Sequence, residues 1–346
     1  MESDKSFADG RVKMKDRAHS DMLDLLRIVA MMMVLLVHIP IYIKLPMTFP
    51  NGQYGVAVFF VLSGYLIMES LNHEDNLWQF YKKRLIRILP EYYMILIAGV
   101  VIWDFCLGQM PKDNLLHLGW LRYFLCLNTI LPSDNYYYWN DLWGLWTISC
   151  FMFFYLVAPL LKKCIKSFRM SLVFLVGSVV AGYVVKKVLV LLLAGQAIDS
   201  VDMFAGDTPF FNLMIFMIGV SAWYAVRDNK VQIYLVCCIA AVAVLLFVNC
   251  GNRITWGLLA VAALLAGKEV LVANKRVKEI ISIVSKYSFT IYLVHFPVFQ
   301  ILSYLVKDKI SNGMYAVIAL LLIVAVTYLV HNVADWIVHH IRRIGR

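Results

Sequence analysis

The 346 residues are 62% hydrophobic and only 16% charged, against roughly 25% charged in an ordinary soluble domain. A water-soluble core cannot hide that much apolar surface, so a globular cytosolic protein is excluded and a bilayer is the expected solvent. The net charge of +10 does not indicate a nucleic-acid partner, because Lys and Arg lie in short segments between apolar runs rather than in one basic domain.

Residues 1–22 are polar and read as a cytoplasmic tail. No cleavable leader is expected, because the first apolar run then reaches spanning length. Apolar runs of about 17–25 residues follow, each long enough to cross ~30 Å of hydrocarbon. They fall at 24–44, 53–70, 88–108, 143–161, 170–194, 209–226, 231–249, 253–272, 286–306 and 314–337. The expected fold is therefore all-α and polytopic, a bundle of about ten transmembrane helices. One membrane domain would fill 23–340, with a basic tail at 341–346. With the N-terminus inside, 24 of the 32 Lys and Arg residues fall on inner segments and six on outer ones. That bias puts both termini in the cytoplasm. The seven cysteines have no metal-ligand spacing and no CxxC, so neither a metal site nor a disulfide is expected.

The first span runs D-L-L-R from Asp24 to Arg27 and continues to His38. Eleven helical residues bring Arg27 and His38 to one face, about 16 Å apart along the axis. Ionisable groups inside a bilayer usually face a bundle interior or a wet cavity. Arg27 also suits a snorkelling anchor, and His38 a packed histidine. In the second span Ser63-Gly64-Tyr65 sets a hydroxyl beside a small residue, a combination that helix packing alone explains. Arg84 and Arg87 are i, i+3 neighbours on an interfacial helix expected to end near Pro90. They could grip phosphates or contact anionic lipid.

Trp143 and Trp146 open the fourth span and fit an interfacial belt, and Pro159 fits a kink near its end. In the outer loop before it, Tyr136–Trp139 could stack on sugar rings or belong to the same belt. Lys186 and Lys187, adjacent inside the fifth span, need water, an anion or an acid partner. His295, in the ninth span, lies one turn from Tyr292 and just before Pro297. It reads as a core histidine, a second catalytic group or an acceptor ligand. His331 and Asp335, one turn apart in the last span, could pair with each other.

Four motifs occur in order: D-x-x-R-x10-H in span one, F-F-x-x-S-G-Y in span two, R-x-x-R-I-x-P before span three, and S-F-x-I-Y-L-x-H-x-P in span nine. Together they resemble the acyltransferase-three family of bacterial membrane O-acyltransferases, from about residue 20 to 340. The family's essential arginine and histidine correspond to Arg27 and His38, its serine-glycine pair to Ser63 and Gly64, and its basic pair to Arg84 and Arg87. Two departures stand out. Many members carry a glutamate where this chain has Phe151, and some carry an acid where it has Ala57. The pattern of Trp146, Tyr155 and Pro159 looks closer to the branch of the enterobacterial common antigen O-acetyltransferase.

The resemblance implies transfer of an acyl group, most often acetyl, from cytoplasmic acyl-CoA to a hydroxyl of a cell-envelope sugar. It places the protein in the bacterial inner membrane. In that scheme His38, Arg27 and Asp24 are catalytic, with His38 as general base acting directly or through an acyl-histidine. Arg27, Arg84, Arg87, Ser63 and Gly64 bind the donor. Tyr65, Trp146, Lys186 and His295 are acceptor-site candidates, and no metal takes part. The competing class is a transporter, flippase or amino-acid uptake module without covalent chemistry, which Lys186, Lys187 and His295 would equally suit.

Overall fold

The computed structural model describes residues 21–43, 51–74, 76–108, 119–132, 140–195, 201–248, 253–267, 274–306 and 309–344. The first twenty residues of the tail and the aromatic segment Tyr136–Trp139 lie outside these residues. The described chain is helical throughout, without a strand. Eight helices are long and apolar enough to cross a membrane. Two shorter apolar helices, Val231–Phe247 and Arg253–Ala266, lie where the expected seventh and eighth spans fall. The all-α polytopic membrane fold is thus as expected.

In chain order the helices are α1 (Asp21–Ile41), α2 (Gly55–His73), α3 (Leu77–Gly99), the short α4 (Gly119–Phe124), α5 (Trp146–Cys164) and α6 (Phe168–Leu192). They continue with the short α7 (Val201–Asp207), α8 (Pro209–Arg227), α9 (Val231–Phe247), α10 (Arg253–Ala266), α11 (Lys275–Val306) and α12 (Asn312–Ile344). Local sequence sets several boundaries. The Asn76 side chain accepts from Trp78 and Gln79 N–H to start α3, Ser167 does the same for α6 from Met170, and Thr208 for α8 from Phe211, with Pro209 following. At the far end of α1, Pro40 lies in the 3-10 turn Ile39–Ile41 that closes the helix.

Helix α8 is the centre of the bundle, buried along most of its length, with α6 and α2 as its principal neighbours. Two glycines make the α2–α8 crossing close. A Cβ on Gly219 would overlap the carbonyl oxygen of Val61, and one on Gly64 the carbonyl oxygen of Phe216. Small residues at helix contacts in lipid permit such close backbone approach and the packing that drives association. The outer face of α6 carries the opposite signature. Val173, Val176, Val180, Val184 and Leu191 form an exposed apolar stripe at helical spacing, which suits lipid and would be unstable in water.

One expectation is corrected. Arg84 and Arg87 do not sit on a separate helix ending near Pro90, because α3 runs through Pro90 and continues as the π-helical segment Val100–Cys106. Proline removes one backbone donor, but contacts with α11 and α12 hold α3 in place. Polar clamps tie the ends of the bundle. Arg253 at the start of α10 bonds Asp207 at 2.7 Å and Asn212 at 2.9 Å, with its guanidinium over the Trp146 ring. In the α8–α9 turn, Asp228 accepts from Phe168 N–H, and the Arg227 hydrogen bond holds its carboxyl below the usual carboxylate range.

Candidate active site

Helices α1 and α11 lie side by side and are cross-linked at three levels. Asp21 pairs with Lys278 at 2.7 Å. One turn along α1, Asp24 accepts from Ser285 Oγ at 2.7 Å and, through the same oxygen, from Arg27 at 2.8 Å. Far along both helices, His38 Nδ1 meets His295 Nε2 at 2.8 Å. Helical periodicity explains this pattern. Ser285, Phe289, Tyr292 and His295 recur every three or four residues, so they form one stripe on α11. Arg27 and His38 share the facing stripe of α1.

Between the first two levels and the third lies a cavity of about 110 Å³. Its walls include Arg27, Ser63, Arg84, Arg87, Tyr155 and Ser285. Arg27 is paired with Asp24. Arg84 and Arg87 have no ion-pair partner among the described residues, and both interact electrostatically with other cations around the cavity. Neighbouring guanidiniums with no carboxylate in ion-pair contact repel one another, an arrangement that a bound anion would relieve.

Phe59, Phe151 and Phe289 close the cavity on the side toward the histidines, and all three also line a second, smaller space of about 20 Å³. That space extends to Thr147 and Tyr292. Tyr292 is one turn from His295, and its hydroxyl donates to the Gly144 carbonyl at 2.9 Å while accepting from Thr147 at 3.1 Å. His295 is fully buried. His38 is partly buried, with Phe296 edge-on at 5.2 Å. Charge, aromatic throat and imidazole pair therefore follow one another along α11.

The remaining residues singled out from the sequence are dispersed. Gly64 does not line the cavity that Ser63 lines; it packs against α8. Tyr65 is buried in the core of the bundle, and Trp146 lies beneath Arg253 and against Phe60. Lys186 has the acid partner its position requires, Asp202 at 3.0 Å, while Lys187 is exposed. Sequence reading missed Ser285, and it expected His331 to pair with Asp335 without the buried Glu91 and Thr290 that complete a cluster on the other side of Arg87. There Glu91 binds His331 at 2.8 Å and Thr290 at 2.8 Å, and His331 also lies 3.5 Å from Asp335. This cluster lines a cavity of about 330 Å³ that shares Arg87, Lys286 and Phe289 with the first. The signal was present in the sequence, as Glu91 is an acid inside an apolar run.

The acyltransferase domain profile matches residues 21–332, nearly the whole described bundle. The chain belongs to the acyltransferase-three family. Among curated relatives, acyltransferase MdmB of Streptomyces mycarofaciens is 28% identical over 116 residues, 33% of this chain and 30% of that protein. O-acetyltransferase OatA of Staphylococcus aureus is 24% identical over 306 residues, 78% of this chain and 50% of that protein. The chain thus spans half or less of the length of these relatives. No solved structure matches this acyltransferase-three chain.

Proposed function

We propose that this protein transfers an acyl group, acetyl in the simplest case, from acyl-CoA on the cytoplasmic side of a bacterial inner membrane to a hydroxyl of a cell-envelope sugar. The observation that carries this reading is the pair of unpaired guanidiniums, Arg84 and Arg87, at a cavity whose continuation along α11 leads toward the His38–His295 pair. A donor with phosphates at one end and a thioester at the other fits that sequence of environments. The activated acyl group comes from the thioester; the protein supplies placement and proton transfer.

In this reading Arg27, Arg84 and Arg87 hold the donor phosphates, and Asp24 orients Arg27 through the 2.8 Å ion pair. The aromatic throat of Phe59, Phe151 and Phe289 excludes water from the path. His38 takes the proton of the acceptor hydroxyl as its oxygen forms the new ester bond, then returns it to the departing thiolate. Membership of the acyltransferase family supports acyl transfer, and the likeness to an O-acetyltransferase supports a hydroxyl acceptor. The pattern of Trp146, Tyr155 and Pro159, similar to that of the enterobacterial common antigen branch, supports a glycan.

The test is transfer of labelled acetyl from acetyl-CoA to the envelope glycans of membranes containing the protein. A His38→Ala variant that folds normally should lose roughly 10²- to 10⁴-fold in rate, the usual worth of a general base. Undiminished transfer by that variant would remove the assignment.

A further inference from the structure

We infer that His295 is a positioning residue for His38: it fixes the His38 ring as the tautomer protonated on Nδ1, so that Nε2 is the nitrogen that takes the acceptor proton. The inference rests on His38 being the base and adds which atom acts and what selects it.

A chain of donors and acceptors sets the tautomer. His295 Nδ1 faces the backbone carbonyl of Tyr292 at 2.5 Å. A carbonyl oxygen only accepts, so Nδ1 carries the proton. Neutral imidazole has one ring proton, which leaves His295 Nε2 with a lone pair. That lone pair lies 2.8 Å from His38 Nδ1. Two lone pairs do not bond, so His38 Nδ1 must donate. In neutral His38 the basic nitrogen is then Nε2.

The geometry favours this bond. The two rings are within 13° of parallel with centroids 5.1 Å apart, so an N–H in the plane of one can point along the lone pair in the plane of the other. His295 is itself held. It has no exposed surface, Phe296 and Phe299 stand edge-on to it, and Tyr292 is tied to Gly144 and Thr147. When His38 Nε2 gains a proton, the Nδ1–H···Nε2 bond becomes charge-assisted and stabilises the imidazolium.

Tautomer and turnover are measured separately. In protein labelled with ¹⁵N-histidine and held in bilayers, the His38 signals, identified by their absence in His38→Asn, should report a protonated Nδ1. In His295→Leu the proton should move to Nε2 in a large share of molecules. In His295→Gln the amide oxygen can accept in place of Nε2 and the wild-type tautomer should persist. Turnover should fall about 10²-fold in His295→Leu with KM for acetyl-CoA unchanged, and His295→Gln should recover most of it. An unprotonated His38 Nδ1 in the wild type, or full turnover by His295→Leu, overturns the inference. Undiminished activity of His38→Ala would instead defeat the underlying assignment of the base. If His295→Leu does not fold, the wild-type and His295→Gln spectra still decide.

Discussion

Arg84 and Arg87 lie one turn apart on α3 and form no ion pair among the described residues, the nearby Glu91 being bound to His331 and Thr290, while Arg27, across the same cavity, is paired with Asp24. A protein can tolerate this imbalance where a mobile anion completes the site. Each charge-assisted contact to phosphate contributes about 1.5 kcal/mol, roughly tenfold in affinity. Arg87→Gln should therefore raise KM for acetyl-CoA about tenfold and leave kcat nearly unchanged, and Arg84→Gln should do the same. Both variants should also lose part of the wild type's sensitivity to added salt, because screening acts on the charge that was removed. Steady-state kinetics over a salt series checks this. At this scale the sequence was informative where one helix carried the whole pattern. The period of 3.6 residues was enough to align Arg27 with His38. It could not show that Ser285 bonds Asp24 or that His295 meets His38, because periodicity orders residues along a helix and is silent about which helix lies beside it.

At the scale of the helix, the α2–α8 crossing is the contact with least tolerance. Its glycines let two backbones touch, and a side chain at Gly219 meets only backbone atoms, those of Val61 and Tyr65, which cannot move aside as a side chain could. Gly219→Leu should separate the helices, costing several kcal/mol through lost packing along the buried face of α8. The expected outcome is a large drop in the thermal unfolding temperature in detergent, with loss of activity following loss of fold. Ser63 lies on α2 beside this crossing, so the same contact helps set one wall of the arginine-lined cavity. Helix positions were legible from hydrophobic run lengths, since the bilayer imposes them. Helix ends were less so. Pro90 resembled a terminus because proline lacks a donor, yet neighbouring helices keep α3 continuous. Similarly, α11 begins at Lys275, well before its apolar run, because its first turns are amphipathic and packed on α1 through the Lys278–Asp21 pair.

For the whole molecule, function depends on which side of the membrane the arginines face. From the distribution of basic residues the start of α1, the first turns of α3 and the end of α5 are expected inside. Native cysteines offer a check, because Cys106, after α3, and Cys164, at the end of α5, are both free and exposed. In variants retaining one of these thiols, a membrane-impermeant maleimide should label Cys106 on intact spheroplasts. Cys164 should react only after permeabilisation. The reverse pattern would put the anion site on the face without acyl-CoA.

The three links between α1 and α11 have a further consequence. A helix rises 1.5 Å per residue whatever its side chains, so the ten residues from Ser285 to His295 form a ruler of about 15 Å. Splinted to α1 at both ends, that ruler cannot stretch. Under the proposed donor placement, a bulkier acyl group could not be accommodated by sliding the carrier back along the track without dragging its charged end off the arginines. Extra carbons would have to go sideways into the ring of Phe59, Phe151 and Phe289, so on that placement tolerance for chain length would be set by three phenyl groups rather than by the imidazoles they lead to.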